Sequence, residues 1–199
     1  MTDLRVLHTL RCLGFTDLAR VADAAALSEA DTESRLIDLA VDGLVTRTPG
    51  PFGGWGLTEA GKAEDARLVA AELTAAGTRE SVAGAFERFL VLNPELLDLC
   101  TAWHMRPADG VAELNDHTDA AYDSRVLARF VDLDRRAADV CTTLETALPR
   151  FASYRRRLSA ALGRATAGEL EHLADTTTSY HNVWFQLHED LLVTLGIPR

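Results

Sequence analysis

The fold is decided by the segment LSEADTESRLIDLAVDGLVTR, residues 27–47. Ser28 or Asp31 can cap a helix here, because a short side-chain oxygen accepts a hydrogen bond from the free amides at a helix start. Apolar residues then recur at helical spacing until Gly43, a residue that tolerates the left-handed conformation found after many helices. Residues 44–48 form a short segment that contains β-branched side chains, which favours a strand. The segment therefore predicts a helix followed by a strand.

Two more helices are predicted before this segment. Leucines recur every three residues over roughly 3–15, which indicates an apolar stripe along one helix closed by Gly14. Thr16 is in place to cap a second helix over the run DLARVADAA, whose apolar residues repeat at helical intervals. The first 43 residues are therefore expected to contain three short helices.

A hairpin and a fourth helix are predicted after the segment. The tetrapeptide WGLT, residues 55–58, is suited to a return strand, and the preceding PGPFGG carries the prolines and glycines of a loop. Thr58 can cap a helix over EAGKAEDARLVAAELTAA, which Gly77 would end. This helix is expected to lead out of the first domain.

The rest of the chain is predicted to be an all-α bundle of four to six helices. Asn93 and Pro94 are expected to start one of these helices, as its cap and first turn. After a loop, a long amphipathic run follows from Thr118, and the segment TTTSYHNVWFQLHEDLLVTLG predicts a final apolar helix. The predicted domains are residues 1–77 and residues 78–199.

Composition and charge restrict the class of protein. The 199 residues are 47% hydrophobic and 25% charged, which is typical of a globular protein with its own core. A formal net charge of −10 means that any contact with nucleic acid must come from a local patch. The three cysteines, at positions 12, 100 and 141, are far apart and are expected to be buried and reduced. We see no signal peptide and no apolar stretch of about 20 residues, and so expect a cytoplasmic protein with no membrane partner.

Residues 27–47 also resemble the recognition helix and first wing strand of MarR-like and PadR-like transcriptional regulators. The shared features are a leucine and a hydroxyl residue at the helix start, paired apolar residues within the helix, and Gly-Leu-Val followed two positions later by a basic residue. In this chain they are Leu27, Ser28, Leu36, Leu39, Gly43, Leu44, Val45 and Arg47. The phrase LTEAGKAE, residues 57–64, similarly resembles the junction that closes the wing.

The resemblance covers about residues 3–76 and implies both a fold and a function. The fold would be mainly α, with an N-terminal winged helix-turn-helix of three helices plus a β-hairpin, followed by an all-α helical bundle. The function would be that of a ligand-responsive repressor that binds double-stranded operator DNA as a homodimer, with its recognition helices in successive major grooves. The residues expected to contact DNA are Thr32, Ser34, Arg35 and Arg47.

The local charge favours an alternative function. Residues 1–77 hold seven Lys and Arg against twelve Asp and Glu, a local net charge of −5. Acidic side chains near the predicted recognition helix would repel phosphate. The uncharged PGPFGG also lacks the Asp-x-Arg pair of a typical MarR wing. A winged-helix interaction or scaffold protein without DNA affinity is therefore the alternative.

The second predicted site is an effector pocket in the bundle. His181, Trp184 and His188 fall within one arc of the last helix at about 100° per residue, and His117 lies in the loop ELNDHTDAAYD. Aromatic walls with histidines that orient a polar group suit a small-molecule effector. Two alternatives stay open at this point: the histidines bind a metal, or they donate to carbonyls and carboxylates and fill the core. We expect no resident metal or cofactor.

Catalytic motifs are not found in the sequence. It contains no G-x-S-x-G elbow, phosphate loop, HExxH or dinucleotide fingerprint. The carboxylate pairs Asp132/Asp134 and Glu189/Asp190 occupy helix positions that point apart, so neither is expected to form an acid–base dyad. We therefore expect no enzyme, and a small-molecule-processing helical enzyme is the second alternative.

Overall fold

The structure, a computed structural model, describes residues 2–50, 52–108 and 111–198. Eight α-helices lie within these residues. They are α1 (Thr2–Leu13), α2 (Leu18–Ala25), α3 (Glu29–Val41), α4 (Glu59–Ala76), α5 (Arg79–His104), α6 (Ala120–Ala147), α7 (Ala152–Thr166) and α8 (Tyr180–Leu195). Short 3-10 helices at Pro149–Phe151 and Leu170–His172 flank α7. Of the helices described, none is long and apolar enough to cross a lipid bilayer.

Four short strands form two separate antiparallel hairpins. Strand β1 (Val45–Thr48) pairs with β2 (Gly54–Leu57), with Val45 opposite Leu57 and Thr48 opposite Gly54. Strand β3 (Met105–Ala108) pairs with β4 (Val111–Leu114), with Met105 opposite Leu114. Each of these sheets has two strands of four residues. The described part of the chain is therefore mainly helical, with eight α-helices against two small sheets.

The predicted fold class is wrong. It allowed one hairpin, as an N-terminal wing, and made everything after residue 77 helical. The structure instead has two small sheets scattered along the chain, and the second lies inside the segment predicted to be all-α. The chain is therefore not a winged helix-turn-helix followed by a helical bundle.

The second hairpin has a local cause in the sequence. Pro107 disfavours helical backbone at the residue before it, and α5 accordingly ends at His104. The pair Asp109-Gly110 lies outside the described residues, but this dipeptide is typical of two-residue hairpin turns. The apolar side chains Val111 and Leu114 are exposed, so the alternation of buried and exposed residues that marks most strands is missing.

The chain forms two compact units. The first unit comprises residues 1–79 together with residues 186–199, and the second comprises residues 80–185. The predicted domains, 1–77 and 78–199, assigned the whole of the last helix to the second domain. In the structure the division falls within α8, whose C-terminal part belongs to the first unit.

The core of the first unit is built from α1, α2, α3 and the first hairpin. Of the two predicted caps of α3, Ser28 is the one that caps it, with its hydroxyl accepting from the Asp31 amide at 3.1 Å. Asp17, and not the predicted Thr16, caps α2. Thr16 cannot do so because its backbone pairs with Trp55 as an isolated β-bridge. The fully packed apolar side chains are Val6, Leu7, Leu10, Val21, Leu36, Leu39, Val45 and Trp55.

In the second unit, the predicted helix break at Asn93 and Pro94 is wrong. Helix α5 runs through both residues without interruption. A proline inside a helix removes one hydrogen bond and costs about 3 kcal/mol. Burial of Phe89, Leu92 and Leu96 on either side of this position stabilises the continuous helix.

Candidate functional site

Helix α3 has one buried face and one exposed face. Leu36 and Leu39 pack in the core of the first unit, while Ile37 and Val41 are exposed. The prediction that Thr32 is presented to DNA is wrong, because Thr32 lies on the buried face with no exposed surface. Its hydroxyl donates to the Ser28 carbonyl at 2.8 Å, a bond within the first turn of the helix.

Ser34 and Arg35 lie at the accessible part of α3. The Ser34 side chain is exposed, as the prediction of a DNA contact requires. Arg35 is half-buried, with its Nε 3.1 Å from Asp3 Oδ1 and its NH1 3.5 Å from Asp38 Oδ2. Ion pairs between such partly exposed side chains contribute about 0–1 kcal/mol, so a phosphate can replace either carboxylate at little cost.

Arg47 lies on the exposed side of the first hairpin. Its guanidinium carbon is 5.4 Å from the centroid of the Trp55 ring, a cation–π contact that orients the side chain. At the hairpin tip, the Phe52 side chain is 95% exposed. Ser34, Arg35 and Arg47 therefore belong to one compact unit, while Thr32 is part of its packing.

The predicted effector residues are divided between the two units. His117, His181 and Trp184 belong to the second unit, and His188 belongs to the first. Trp184 is buried, stacks on Phe89 with ring centroids 4.5 Å apart, and donates its indole N–H to Asn93 Oδ1 at 3.0 Å. These contacts with Phe89 and Asn93 hold the indole inside the second unit.

The two histidines of the second unit have different surroundings. Burial lowers the pKa of His181, and repulsion by His104 lowers it further, which favours the neutral ring. His117 is exposed and has a positive φ of 58°. Its Nδ1 is 3.0 Å from Asp123 Oδ2, and its ring lies against Trp103. Asp123 is itself buried, so these contacts fix the loop between β4 and α6.

A buried polar cluster in the first unit was missed by the sequence analysis. His8 on α1 lies between two aspartates, one from α4 and one from α8. Its Nδ1 is 3.1 Å from Asp65 Oδ1, and its Nε2 is 3.0 Å from Asp190 Oδ1. The exposed fractions of these three residues are 4%, 0% and 2%. Burial of two carboxylates is tolerated only where charges and hydrogen bonds compensate them.

Two further side chains complete this cluster. The Cys12 Sγ is 3.7 Å from His8 Nε2, and the Thr194 hydroxyl donates to Asp190 Oδ1 at 2.9 Å. His8 and Cys12 are four residues apart on α1, and Asp190 and Thr194 are four apart on α8, so each pair shares one helix face. We call His8, Cys12, Asp65, Asp190 and Thr194 the His8 cluster.

The sequence carried only a weak signal for the His8 cluster. The spacing of His8 and Cys12 places both on one side of a helix, but that helix also carries the leucine stripe of an ordinary amphipathic segment. Asp65 and Asp190 lie far from them in sequence. The prediction that Glu189 and Asp190 point apart and form no acid–base dyad gave no indication that Asp190 is buried.

Comparisons with known proteins give no relative to guide the assignment. No known protein family matches the chain, and searches of curated proteins and of solved structures also find no match.

Proposed function

We propose that the protein is a DNA-binding transcriptional regulator that contacts double-stranded DNA through α3 and β1. The observation that carries the proposal is the two-sided character of α3, which is fixed by its buried face and leaves Ser34 and Arg35 accessible. Arg47 adds a second accessible guanidinium on the adjoining hairpin. A helix that is packed on one face and carries polar side chains on the other is the element that many DNA-binding proteins insert into a major groove.

The charge of this surface determines how it would bind. Glu29, Asp31 and Asp42 are exposed on or beside α3 and repel phosphate. Attraction must therefore come from a small number of arginines, with Arg35 exchanging its carboxylate partners for phosphate or a guanine edge. The affinity is expected to be modest and to fall steeply as salt is added.

Dimerisation and effector binding are further parts of the proposal. Binding as a homodimer would place two copies of α3 in successive major grooves. A small-molecule effector would bind in the second unit, where His117 and His181 are partly accessible. Trp184 contributes to the packing that holds this region.

Fluorescence anisotropy with a duplex from the region upstream of the protein's own gene tests DNA binding. At low salt we expect saturable binding that weakens about 5- to 150-fold in Arg47→Ala and in Arg35→Ala, the loss of a contact worth about 1–3 kcal/mol. Arg135→Ala is the matched control, since Arg135 is an exposed arginine on α6 in the second unit. Equal weakening in the control, or no binding at low salt, contradicts the proposal.

A second candidate function is recognition of a protein partner without DNA affinity. It is favoured by apolar exposure on the same surface: Val41 is 83% exposed and lies one turn from the exposed Ile37. Exposed apolar side chains next to each other are typical of protein-binding surfaces. Absence of DNA binding at low salt, with self-association that Val41→Ser abolishes, would favour this function over the first.

A further inference from the structure

The His8 cluster contains the donor atoms of a transition-metal site. His8 Nε2, Cys12 Sγ and a carboxylate oxygen of Asp190 lie within 4.8 Å of one another, and all three residues are buried. Imidazole nitrogen, thiolate and carboxylate form a mixed donor set that suits Zn²⁺ and related ions better than Mg²⁺ or Ca²⁺.

Two of the three distances between these atoms are close to those in a coordination tetrahedron. With Zn–N near 2.05 Å, Zn–S near 2.3 Å and Zn–O near 2.1 Å, a tetrahedral ion separates nitrogen from sulfur by about 3.6 Å and nitrogen from oxygen by about 3.4 Å. The corresponding distances are 3.7 Å from His8 Nε2 to Cys12 Sγ and 3.0 Å from His8 Nε2 to Asp190 Oδ1. These two distances require shifts of only a few tenths of an ångström, while the distance from Cys12 Sγ to the Asp190 carboxylate must close from at most 4.8 Å to about 3.6 Å.

The surrounding residues supply the outer contacts that metal ligands need. Asp65 accepts at the other ring nitrogen of His8, with Oδ1 at 3.1 Å and Oδ2 at 3.3 Å, which orients the ring so that Nε2 lies near Cys12 and Asp190. The Thr194 hydroxyl holds Asp190 Oδ1 in the same way. The three ligands come from α1 and from the C-terminal part of α8, both of which belong to the first unit.

We propose that His8, Cys12 and Asp190 bind one Zn²⁺-like ion, with Asp65 and Thr194 as positioning residues. Binding displaces two protons, that of the Cys12 thiol and the one between His8 Nε2 and Asp190 Oδ1, and both pass to solvent. Three protein ligands leave a fourth position for water or another small ligand. This proposal does not depend on DNA binding.

Titration with Co²⁺ as the probe tests the site directly. Co²⁺ is added to the chelator-treated full chain, both in the folded state and during refolding from urea, so that slow access does not hide binding. We expect one ion per chain, a thiolate-to-cobalt charge-transfer band, and loss of that band when Zn²⁺ is added. No band under either condition overturns the proposal and leaves the cluster as a hydrogen-bonded core.

Variants separate the ligands from their surroundings. Cys12→Ala should abolish the charge-transfer band, while Cys141→Ala, at a buried cysteine of the second unit, should retain it. Asp65→Asn should weaken Co²⁺ binding about 10–100-fold without removing the band, as expected of a positioning residue. Circular dichroism confirms that each variant is folded. A band that persists in folded Cys12→Ala overturns the assignment.

Discussion

At the scale of single residues, the protein interior changes the pKa of two buried cysteine thiols. All three cysteines are buried and free of disulfides, as the sequence predicted. Burial raises the pKa of the Cys100 thiol to about 12, with a smaller contribution from Asp175, and raises that of Cys141 to about 11. Both thiols therefore stay protonated in the folded protein over a pH range in which the unfolded chain ionises.

Stability is expected to fall as the pH rises above about 9. The folded pKa of each thiol is higher than its unfolded value, so the contribution to stability is complete below the unfolded pKa of about 9 and decreases above it. Each thiol adds about 1.4 kcal/mol per pH unit to this fall until its folded pKa is reached. Tyr180 acts in the same direction above about pH 10, because burial and Asp134 raise its pKa.

Urea unfolding from about pH 8 to about pH 11 measures this slope. The double variant Cys100→Ala/Cys141→Ala should unfold at lower urea at every pH, because it loses buried volume, but with a shallower pH dependence. The difference between the two proteins in the slope of unfolding free energy against pH removes the contribution of the titratable groups that both contain. Equal slopes would show that the thiols do not cause the effect.

At the scale of elements, the first turn of α4 packs very closely against the turn that follows α3. A Cβ atom at Gly61 would lie 1.9 Å from the Leu44 carbonyl oxygen, which is less than any real contact. The approach is fixed because the Thr58 hydroxyl caps α4 through the Gly61 amide and also donates to the Gly43 carbonyl at 2.8 Å. Only glycine lets the helix and the turn after α3 come so close.

Gly61→Ala is expected to destabilise the protein by about 1–3 kcal/mol, because helix or turn must move to admit the methyl group. The matched control is Gly163→Ala on α7, where a Cβ meets nothing within 4 Å. That change should stabilise the protein by about 0.5–1 kcal/mol through the higher helix propensity of alanine. Urea unfolding measures both, and equal effects of the two variants would contradict the packing described for α4.

At the scale of the whole molecule, the last residues of the chain pack in the same unit as the first 79 residues. Residues 186–199 belong to the first unit, where they bury Leu191 and supply Asp190 to His8. The Leu195 carbonyl accepts from Arg79 NH2 at 2.8 Å. The first unit is therefore incomplete as residues 1–79 alone.

Deletion of residues 186–199 is expected to destabilise the first unit by more than about 5 kcal/mol, because the buried charged cluster loses Asp190 and the core loses Leu187, Leu191 and Leu195. Deletion of residues 198–199 alone is the control and should change stability by less than about 0.5 kcal/mol, since Pro198 is exposed. Limited proteolysis reports where the longer truncation opens. If residues 1–79 resist proteolysis in the truncated protein as well as they do in the full chain, this account is contradicted.

The sequence by itself determined helices α3 and α4 and the residues at which they begin and end. Helix α3 with its Ser28 cap, and helix α4 between Thr58 and Gly77, follow from capping residues and apolar spacing that act within a few residues. The burial of the cysteines followed in the same way from helical patterns. These features are local, so a single stretch of sequence contains the forces that produce them.

Only the tertiary structure decided which residues meet. It joined His8, Asp65 and Asp190 from three helices, buried Thr32, and divided the predicted effector residues between two units. It also carried α5 through Pro94, where packing on both sides outweighs the lost hydrogen bond. Such outcomes depend on contacts between segments far apart in the chain, whose free energies local patterns do not record.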